Sequence, residues 1–260
     1  MSSVLDHGYI NLVESWGSDE RIIEAARMST DKGFQGWGPF ICITCSGDGY
    51  IDQPLADSIF SDEMCKKCKG ADYIAGDEKL LSYLWRNNHH TPFEMAGATF
   101  EIQAPIFVVR EWHRHRTQSY NELSGRYTAL PDLFYIPSIE RLMAGRQGRK
   151  NKQGSEGGFS ILVAEALQEK IREATLGARL TYEGLLEIGV SRELARLVIP
   201  VNQYTRFRAS ANLRNWLGFL RLRLDNAAQW EIRQYALTVG QILRGAFPRT
   251  YALFEEGRAT

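Results

Sequence analysis

Residues 111–127, which read EWHRHRTQSYNELSGRY, carry a dense set of charged and hydrogen-bonding side chains. Three of them are the arginines Arg114, Arg116 and Arg126, and a guanidinium is a permanently charged planar donor suited to phosphate and carbonyl oxygens. Directional partners for the edge of a base lie between and beside them: Ser119, Asn121, Glu122 and Ser124. This pattern favours a nucleotide ligand. The alternative is an exposed, salt-bridged helix end followed by a hairpin.

The four cysteines of the chain form a second group with chemistry of its own. Cys42 and Cys45 make one C-x-x-C pair, and Cys65 and Cys68 make another. Two such pairs supply the four thiolates of a closed tetrahedral zinc site, which leaves no position open for a substrate. We therefore expect a structural zinc ion, with two disulfides or four unpaired core cysteines as the alternatives.

The composition of the chain restricts the classes of protein to which it can belong. Its 260 residues are 44% hydrophobic, enough for a sizeable core, and 31 basic residues balance 31 acidic ones. Without net charge the chain has no global field to gather a nucleic acid polymer or an anionic membrane, so we expect neither as a partner. The opening residues MSSVLDHGYI lack the pattern of a signal peptide, and no apolar run approaches the roughly twenty residues of a membrane span. We expect a cytoplasmic globular protein.

Capping residues and periodicity predict the elements that precede the arginine cluster. Ser18 and the acidic residues after it predict a helix over residues 18–29, and a second helix is expected over residues 77–88. Between them, residues 33–76 are rich in Gly, Pro, Asp and Cys, as expected of a segment that a metal holds in place of a hydrophobic core.

A strand and a helix are predicted directly before the arginine cluster. Apolar residues alternate around Phe100 and predict a strand, and Pro105 is suited to the first turn of a helix. This helix would present Arg114, His115 and Arg116 at its C-terminal end. Residues 138–158 are basic and glycine-rich, which predicts an exposed, mobile connection. The other predicted elements are a helix over 159–188, a strand over 204–211, and helices over 212–224 and 228–247.

Beyond these patterns, the chain resembles a known family of enzymes. Residues 114–127 match every signature position of the R-H-R-x-x-S-x-N-E-x-S-x-R-Y motif of the flavin-dependent thymidylate synthases. Three further segments are similar to that family: HHTPFE at 89–94, ARLVIP at 195–200 and NLRNWLGFLRLR at 212–223. The resemblance covers most of the chain, and the cysteine-containing segment departs from the compact family pattern.

The resemblance implies a mixed α/β (α+β) fold with a mixed sheet and long helices. It further implies a single domain over residues 1–260 that assembles as a homotetramer with active sites built from several subunits. The cysteine pattern, and not the resemblance, predicts a zinc-binding insertion at 37–75 within that domain. By resemblance, the residues that hold FAD are His89, Thr91, Arg114, His115, Arg116, Glu122, Asn212 and Arg214. Those that hold deoxyuridylate (dUMP) are Arg114, Glu122, Leu123, Ser124, Gly125, Arg126, Arg196 and Arg223.

The implied reaction is the reductive methylation of dUMP to dTMP, with methylenetetrahydrofolate as the one-carbon donor and NADPH as the reductant of the flavin. We assign Arg223 to polarise the uracil ring, because a guanidinium beside a ring carbonyl favours the anionic ring by preorganised electrostatics. His89 is expected to orient the flavin. Ser124 is a further catalytic candidate, although a serine nucleophile needs an adjacent base. Where the family usually has a glutamine that contacts the nucleotide, this chain has Glu111, whose carboxylate would repel phosphate.

Other functions share some of these features. The C-x-x-C-x-G-x-G pattern is similar to the zinc knuckles of DnaJ-type chaperones, which suggests a chaperone-like protein. A zinc-knuckle protein that binds RNA or DNA would use the cysteines and the arginines together. The neutral charge and the large core of the chain argue against the nucleic-acid-binding alternative, and a chaperone leaves residues 114–127 unexplained. Within the family, the alternative is a hydroxymethylase that makes 5-hydroxymethyl-dUMP with the same cofactors.

Overall fold

The computed structural model describes residues 1–48, 50–54, 60–71, 73–146 and 158–259. Two compact units divide the chain: residues 1–16 with 97–246 form the first, and residues 17–96 with the segment from Phe247 onward form the second. The strands are β1 (Ser2–Val4), β2 (Gly8–Trp16), β3 (Phe40–Ile41), β4 (Tyr50–Pro54), β5 (Phe60–Met64), β6 (Tyr73–Ile74), β7 (Gly97–Pro105), β8 (Ser119–Glu122) and β9 (Tyr204–Asn212). The helices are α1 (Asp19–Arg27), α2 (Asp77–Arg86), α3 (Ile106–Trp112), α4 (Ile139–Met143), α5 (Ile161–Glu187), α6 (Arg192–Ala195), α7 (Leu213–Arg223), α8 (Trp230–Ala246) and α9 (Pro248–Ala259).

A five-stranded sheet in the order β1-β2-β7-β9-β8 forms the centre of the first unit. The α+β class is confirmed, but all of these strands pair antiparallel, so the sheet is not the mixed one that we expected. The physical reason lies in the connection from β7 to β9. The helices between them return the chain to the end of the sheet where β7 stops, so that Tyr204 pairs with Pro105 and β9 runs back along β7.

The core of the first unit lies on one face of β7. Ala98, Phe100 and Ile102 have no exposed surface, as the alternation in the sequence predicted. Trp216 of α7 packs edge-to-face on Phe100 with ring centroids 5.0 Å apart, and its indole N–H donates to the carbonyl oxygen of Ala98 at 2.9 Å. Tyr235 of α8 donates to the carbonyl oxygen of Gln103 at 2.8 Å. These contacts place α7, which ends in Arg223, firmly against the sheet.

Helix α5 is the longest helix and is largely exposed along its length. Leu176 and Leu180 lie one turn apart on it and expose 52% and 59% of their surface. Within the described residues, no helix combines the length and the apolar composition needed to cross a bilayer.

The second unit is built from α1, α2, α9 and the cysteine-containing segment. Its core holds the buried side chains Ile22, Ile23, Leu81, Phe93 and Phe254. The buried carboxylate of Asp77 in the first turn of α2 accepts hydrogen bonds from the Arg27 guanidinium and from the backbone N–H of Gln35 at 2.7 Å. One carboxylate therefore fixes the N-terminus of α2 against α1 and the start of the insertion.

Five of the predicted helices lie within about two residues of their observed bounds: α1, α2, α5, α7 and α8. Three helices were not predicted, and the shortest of them is the single turn α6 (Arg192–Ala195). Helix α4 lies inside the segment 138–158 that we expected to be an irregular connection, and residues 147–157 of that segment lie outside the described residues. Helix α9 begins at Pro248, where the prediction ended. Its first turn is capped across the chain by Asp19, which accepts from the backbone N–H groups of Arg249 at 2.8 Å and Thr250 at 3.1 Å.

Candidate active site and metal centre

The arginine cluster begins in a turn directly after α3, as predicted. Tyr120 of β8 fixes this turn, because its hydroxyl donates to the carbonyl oxygens of Trp112 and His115 at 3.0 and 2.9 Å. Burial raises the pKa of Tyr120, so the hydroxyl stays protonated and available as a donor. Asn215 of α7 adds a longer hydrogen bond to the carbonyl oxygen of Thr117 at 3.4 Å. The turn is thus held by the sheet edge and by α7 together.

Two arginines of this turn point away from these contacts. Arg114 and Arg116 are exposed. Within the described parts of the chain, neither guanidinium makes a hydrogen bond or an ion pair with another side chain. Two unpaired guanidinium groups on a fixed turn suit an anionic ligand such as a phosphate.

Arg223, the last residue of α7, reaches the other side of the same turn. Its Nη1 donates to Glu111 Oε2 at 2.7 Å, its Nη2 to the Glu111 carbonyl oxygen at 2.9 Å, and its Nε to His115 Nε2 at 2.9 Å. Burial, together with the charge of Arg223, lowers the pKa of His115 to about 4. The imidazole is therefore neutral at pH 7, with Nε2 as an acceptor. The structure brings together three residues singled out from the sequence.

Glu122 does not belong to the group around Arg223 but lines a cavity of about 480 Å³ at the end of β8. Its carboxylate accepts from the Thr205 hydroxyl at 2.9 Å. Leu123, Arg206 and Arg208 also line this cavity. Sequence reasoning did not single out the two arginines, although their i, i+2 spacing in the strand YTRFRASA places both side chains on one face of the sheet. Among the described residues, no hydrogen bond or ion pair joins this cavity to Arg223.

The loop after β8 carries Ser124, Gly125 and Arg126. Ser124 Oγ accepts from the backbone N–H of Arg126 at 3.3 Å, and within the described residues no histidine or carboxylate side chain hydrogen-bonds to it. Buried Gly125 packs close to Leu130, whose side chain would lie 3.3 Å from an added Cβ. The Arg126 guanidinium lies 3.3 Å from Glu193 in an exposed ion pair, which a ligand phosphate can replace at little energetic cost.

The remaining predicted residues of the first unit lie at the starts of helices. The Asn212 side chain caps α7 by accepting from the backbone N–H of Asn215 at 2.9 Å, so part of its hydrogen-bonding capacity serves the fold. Arg214 follows in the first turn of α7 and is exposed. Arg196 is exposed at the start of a short 3-10 helix, Arg196–Val198.

His89 and Thr91 belong to the second unit. Helix α2 ends at Arg86, and Asn88 just beyond it is left-handed, at φ 56°. The His89 backbone N–H then returns to the Leu84 carbonyl oxygen at 2.9 Å. The exposed His89 ring packs edge-to-face on Tyr83 of α2 with centroids 5.6 Å apart. Thr91 is the first residue of the 3-10 helix Thr91–Met95. Helix α2 thus sets the position of the histidine.

The four cysteines form one buried cluster in the second unit. Their sulfur atoms all lie within 4.8 Å of one another. The Sγ atoms of Cys42 and Cys65 are 3.8 Å apart, and those of Cys45 and Cys68 are 3.6 Å apart. A tetrahedral ion with Zn–S bonds of about 2.3 Å places its sulfur ligands about 3.8 Å apart. The cluster is compatible with a metal site, and the thiols are not joined as disulfides.

Two similar turns carry the cysteine pairs. In the first, Ser46 and Gly47 after Cys45 are left-handed, with φ of 52° and 94°. In the second, Lys69 and Gly70 after Cys68 have φ of 54° and 77°. Each turn folds back on the first cysteine of its pair. The Cys42 carbonyl oxygen accepts from the Gly47 N–H at 3.1 Å, and the Cys65 carbonyl oxygen accepts from the Lys69 N–H at 2.7 Å. Glycine suits the second left-handed position of each turn because it has no Cβ.

Among the described residues, the cysteine cluster has little apolar support around it. The buried group consists of the four cysteines, with partly buried Ile74 packed against it. Burial opposes ionisation of Cys42, but hydrogen bonds from the backbone N–H groups of Thr44 and Cys45 and from neighbouring thiols together lower its pKa to about 6. This chemistry fits a metal ligand better than an inert core cysteine.

Comparison with known proteins identifies the family of the chain. The family model described as thymidylate synthase complementing protein matches residues 11–249. The flavin-dependent thymidylate synthase of Thermus thermophilus is 39% identical over 253 residues, which cover 97% of this chain and 77% of that protein. The enzyme of the same name from Thermotoga neapolitana is 38% identical over 251 residues, 96% of this chain and 92% of that protein.

A solved structure is similar over the whole chain. It is that of the UMP/dUMP methylase PolB from Streptomyces cacaoi bound with 5-Br UMP, with a TM-score of 0.75, 29% identity and 99% of each chain covered. The same methylase bound with 5-Br dUMP gives a TM-score of 0.73 and 30% identity. The motif residues, the fold and these matches agree, and the chain belongs to the flavin-dependent thymidylate synthase family.

Proposed function

We propose that this chain is a flavin-dependent thymidylate synthase that converts dUMP to dTMP with methylenetetrahydrofolate and NADPH and releases tetrahydrofolate. The observation that carries the proposal is the guanidinium of Arg223, fixed by three hydrogen bonds beside the two exposed arginines of the signature turn. A fixed cation for the uracil ring next to unpaired cations for a phosphate is the arrangement that this chemistry needs.

The residues of the signature turn fit FAD as the cofactor. FAD presents a pyrophosphate, and the unpaired guanidinium groups of Arg114 and Arg116 on a rigid turn offer the charge and geometry to bind it. We propose that His115, Glu122, Asn212 and Arg214 of the first unit also bind FAD and, as the family resemblance implies, that His89 and Thr91 are FAD-binding residues too. When bound and reduced by NADPH, flavin supplies the hydride that the methylation requires.

For dUMP, we propose that the loop after β8 and the arginines nearby hold the nucleotide. The residues are Arg114, Glu122, Leu123, Ser124, Gly125, Arg126, Arg196 and Arg223. Arg126 and Arg196 are exposed cations suited to the phosphate, and we assign Arg223 to the uracil ring. A second class of thymidylate synthase chemistry, with a cysteine nucleophile, is disfavoured here because all four cysteines are buried together in one cluster. Activation of uracil then depends on Arg223.

A homotetramer is part of the proposal. The site residues of one chain fall in separate groups within the first unit, and α5 exposes leucines such as Leu176 and Leu180 on successive turns. Exposed apolar surface of this kind marks a contact with another protein, and a second copy is the partner that the family implies.

We expect the purified protein to be yellow and tetrameric, and the released flavin to be FAD. The physical reason is that a flavin site assembled from several subunits retains its ligand only when the subunits associate. The absorbance spectrum, chromatography of the released flavin and light scattering check this expectation. A colourless monomer that cannot be reconstituted with FAD would contradict it.

We further propose that Cys42, Cys45, Cys65 and Cys68 bind one structural zinc ion. The support is the match between their 3.6 and 3.8 Å sulfur spacings and those of a tetrahedral zinc site. A reducing cytoplasm, the location that we propose for this protein, keeps such thiols available to a metal.

A further inference from the structure

We propose that Glu111 is a positioning residue for the reaction: it holds the Arg223 guanidinium in a fixed orientation toward the uracil ring. This inference rests on the proposed function, because it gives Glu111 its role through Arg223. It also explains the presence of a carboxylate where the resemblance led us to expect a glutamine that contacts the nucleotide. In this chain the side chain of residue 111 contacts the arginine.

The contacts of Glu111 with Arg223 come from two different groups of the same residue. The carboxylate binds Nη1 at 2.7 Å, and the backbone carbonyl oxygen binds Nη2 at 2.9 Å. This carbonyl lies in the last turn of α3, and the N–H four residues on bonds to Trp112 instead. Arg223 thus satisfies a helix-end carbonyl and places a positive charge at the C-terminus of α3.

His115 fixes the third side of the guanidinium. Its Nε2 accepts from Arg223 Nε at 2.9 Å, so the neutral imidazole carries its proton on Nδ1. The side chain of Arg223 is only 15% exposed, whereas that of Glu111 is 41% exposed. The arginine is therefore held inside the site while its carboxylate partner keeps contact with solvent, which limits the desolvation cost of the pair.

Two N–H donors of the Arg223 guanidinium remain for a substrate. A guanidinium has five N–H donors, and the three contacts above use three of them. One N–H on each terminal nitrogen is left. Because the Glu111 carboxylate offsets the charge of Arg223, this arginine suits the oxygen and nitrogen edge of a uracil ring better than a phosphate. The phosphate is left to the exposed arginines Arg126 and Arg196.

A double-mutant cycle on Glu111 and Arg223 tests the proposal. Glu111→Met removes the carboxylate but keeps an unbranched side chain that suits a helix. We expect about a tenfold loss of kcat, as for one charge-assisted hydrogen bond, with KM for dUMP, FAD content and Tm unchanged. Glu111→Gln, which retains an acceptor for Arg223, is expected to keep kcat within about threefold of the parent. In an Arg223→Ala background, Glu111→Met is expected to have no further effect.

The matched control is Glu24→Met, which removes an exposed carboxylate from its 2.6 Å contact with Arg21 on α1. This change is expected to leave kcat unaltered. An equal loss from Glu111→Met with and without Arg223 would overturn the positioning role, and so would a loss confined to KM or Tm. Single-turnover rates are measured in all four proteins of the cycle, so that low turnover does not hide the coupling. If the unmutated holoenzyme neither binds nor converts dUMP, the proposed function itself fails.

Discussion

Arg223→Ala is expected to lower kcat for dTMP formation by about 10²–10³-fold while FAD remains bound. The reason is that the account assigns uracil activation to this guanidinium alone. Removal of the guanidinium takes away a preorganised positive charge that stabilises the developing anionic ring. The contacts that Arg223 itself makes are with Glu111 and His115 at the edge of the turn. Turnover under saturating substrates and the absorbance of bound flavin measure the two effects separately.

Two further variants test whether a positive charge alone is sufficient at position 223 and whether Ser124 takes part in the reaction. Arg223→Lys keeps the charge but cannot reproduce the three-sided contact of a guanidinium, so we expect it to restore only a small part of the activity. Ser124→Ala is expected to retain measurable turnover, because no base reaches the Ser124 hydroxyl among the described residues. A covalent adduct between dUMP and Ser124 or any cysteine, trapped during turnover, would overturn this mechanism.

Cys65→Ser is expected to abolish metal binding, from one zinc ion per chain to none, and to lower the thermal stability of the second unit far more than the activity. A thiolate is lost from a closed four-sulfur site whose apolar support, among the described residues, is the partly buried Ile74. The ends of the insertion meet at Gly38 and Gly76, where the backbones are in contact, and Asp77 fixes the start of α2 independently of the metal. The damage should therefore remain local.

Metal analysis of freshly prepared, reduced protein and thermal unfolding provide the test. Ile43→Ser is the matched control, because Ile43 lies between the two cysteines of the first pair and is 82% exposed. It is expected to retain the full metal content. Absence of metal from the unmutated reduced protein would show that the zinc assignment is wrong.

Features that depend on local sequence were predictable, and features that depend on long-range packing were not. The cysteine cluster was predictable because the spacing of two C-x-x-C pairs is a local property of the chain, and α7 was predictable from its apolar periodicity. The contact of Arg223 with Glu111 was not predictable, since it joins residues far apart in sequence and depends on how α3 and α7 pack. The antiparallel sheet and α9 depend in the same way on long-range pairing, of which Asp19 with Thr250 is an example.

Arg206 and Arg208 could have been predicted as site residues from their i, i+2 spacing in the sequence, but they were not. Their alternation in β9 places them beside Glu122 once β8 pairs with that strand. The separation of the Glu122 cavity from Arg223 within the first unit also has a physical reason under the proposed function. A site assembled from several copies is not complete in one chain.

The most direct test of the proposed function is mass spectrometry of the nucleotide formed when the FAD-loaded protein is incubated with dUMP, methylenetetrahydrofolate and NADPH. The account predicts dTMP, with one methyl group added to the uracil ring, and equal amounts of tetrahydrofolate. Omission of NADPH should abolish the product. Formation of 5-hydroxymethyl-dUMP in place of dTMP, or no change in dUMP with the flavin fully bound, would contradict the account.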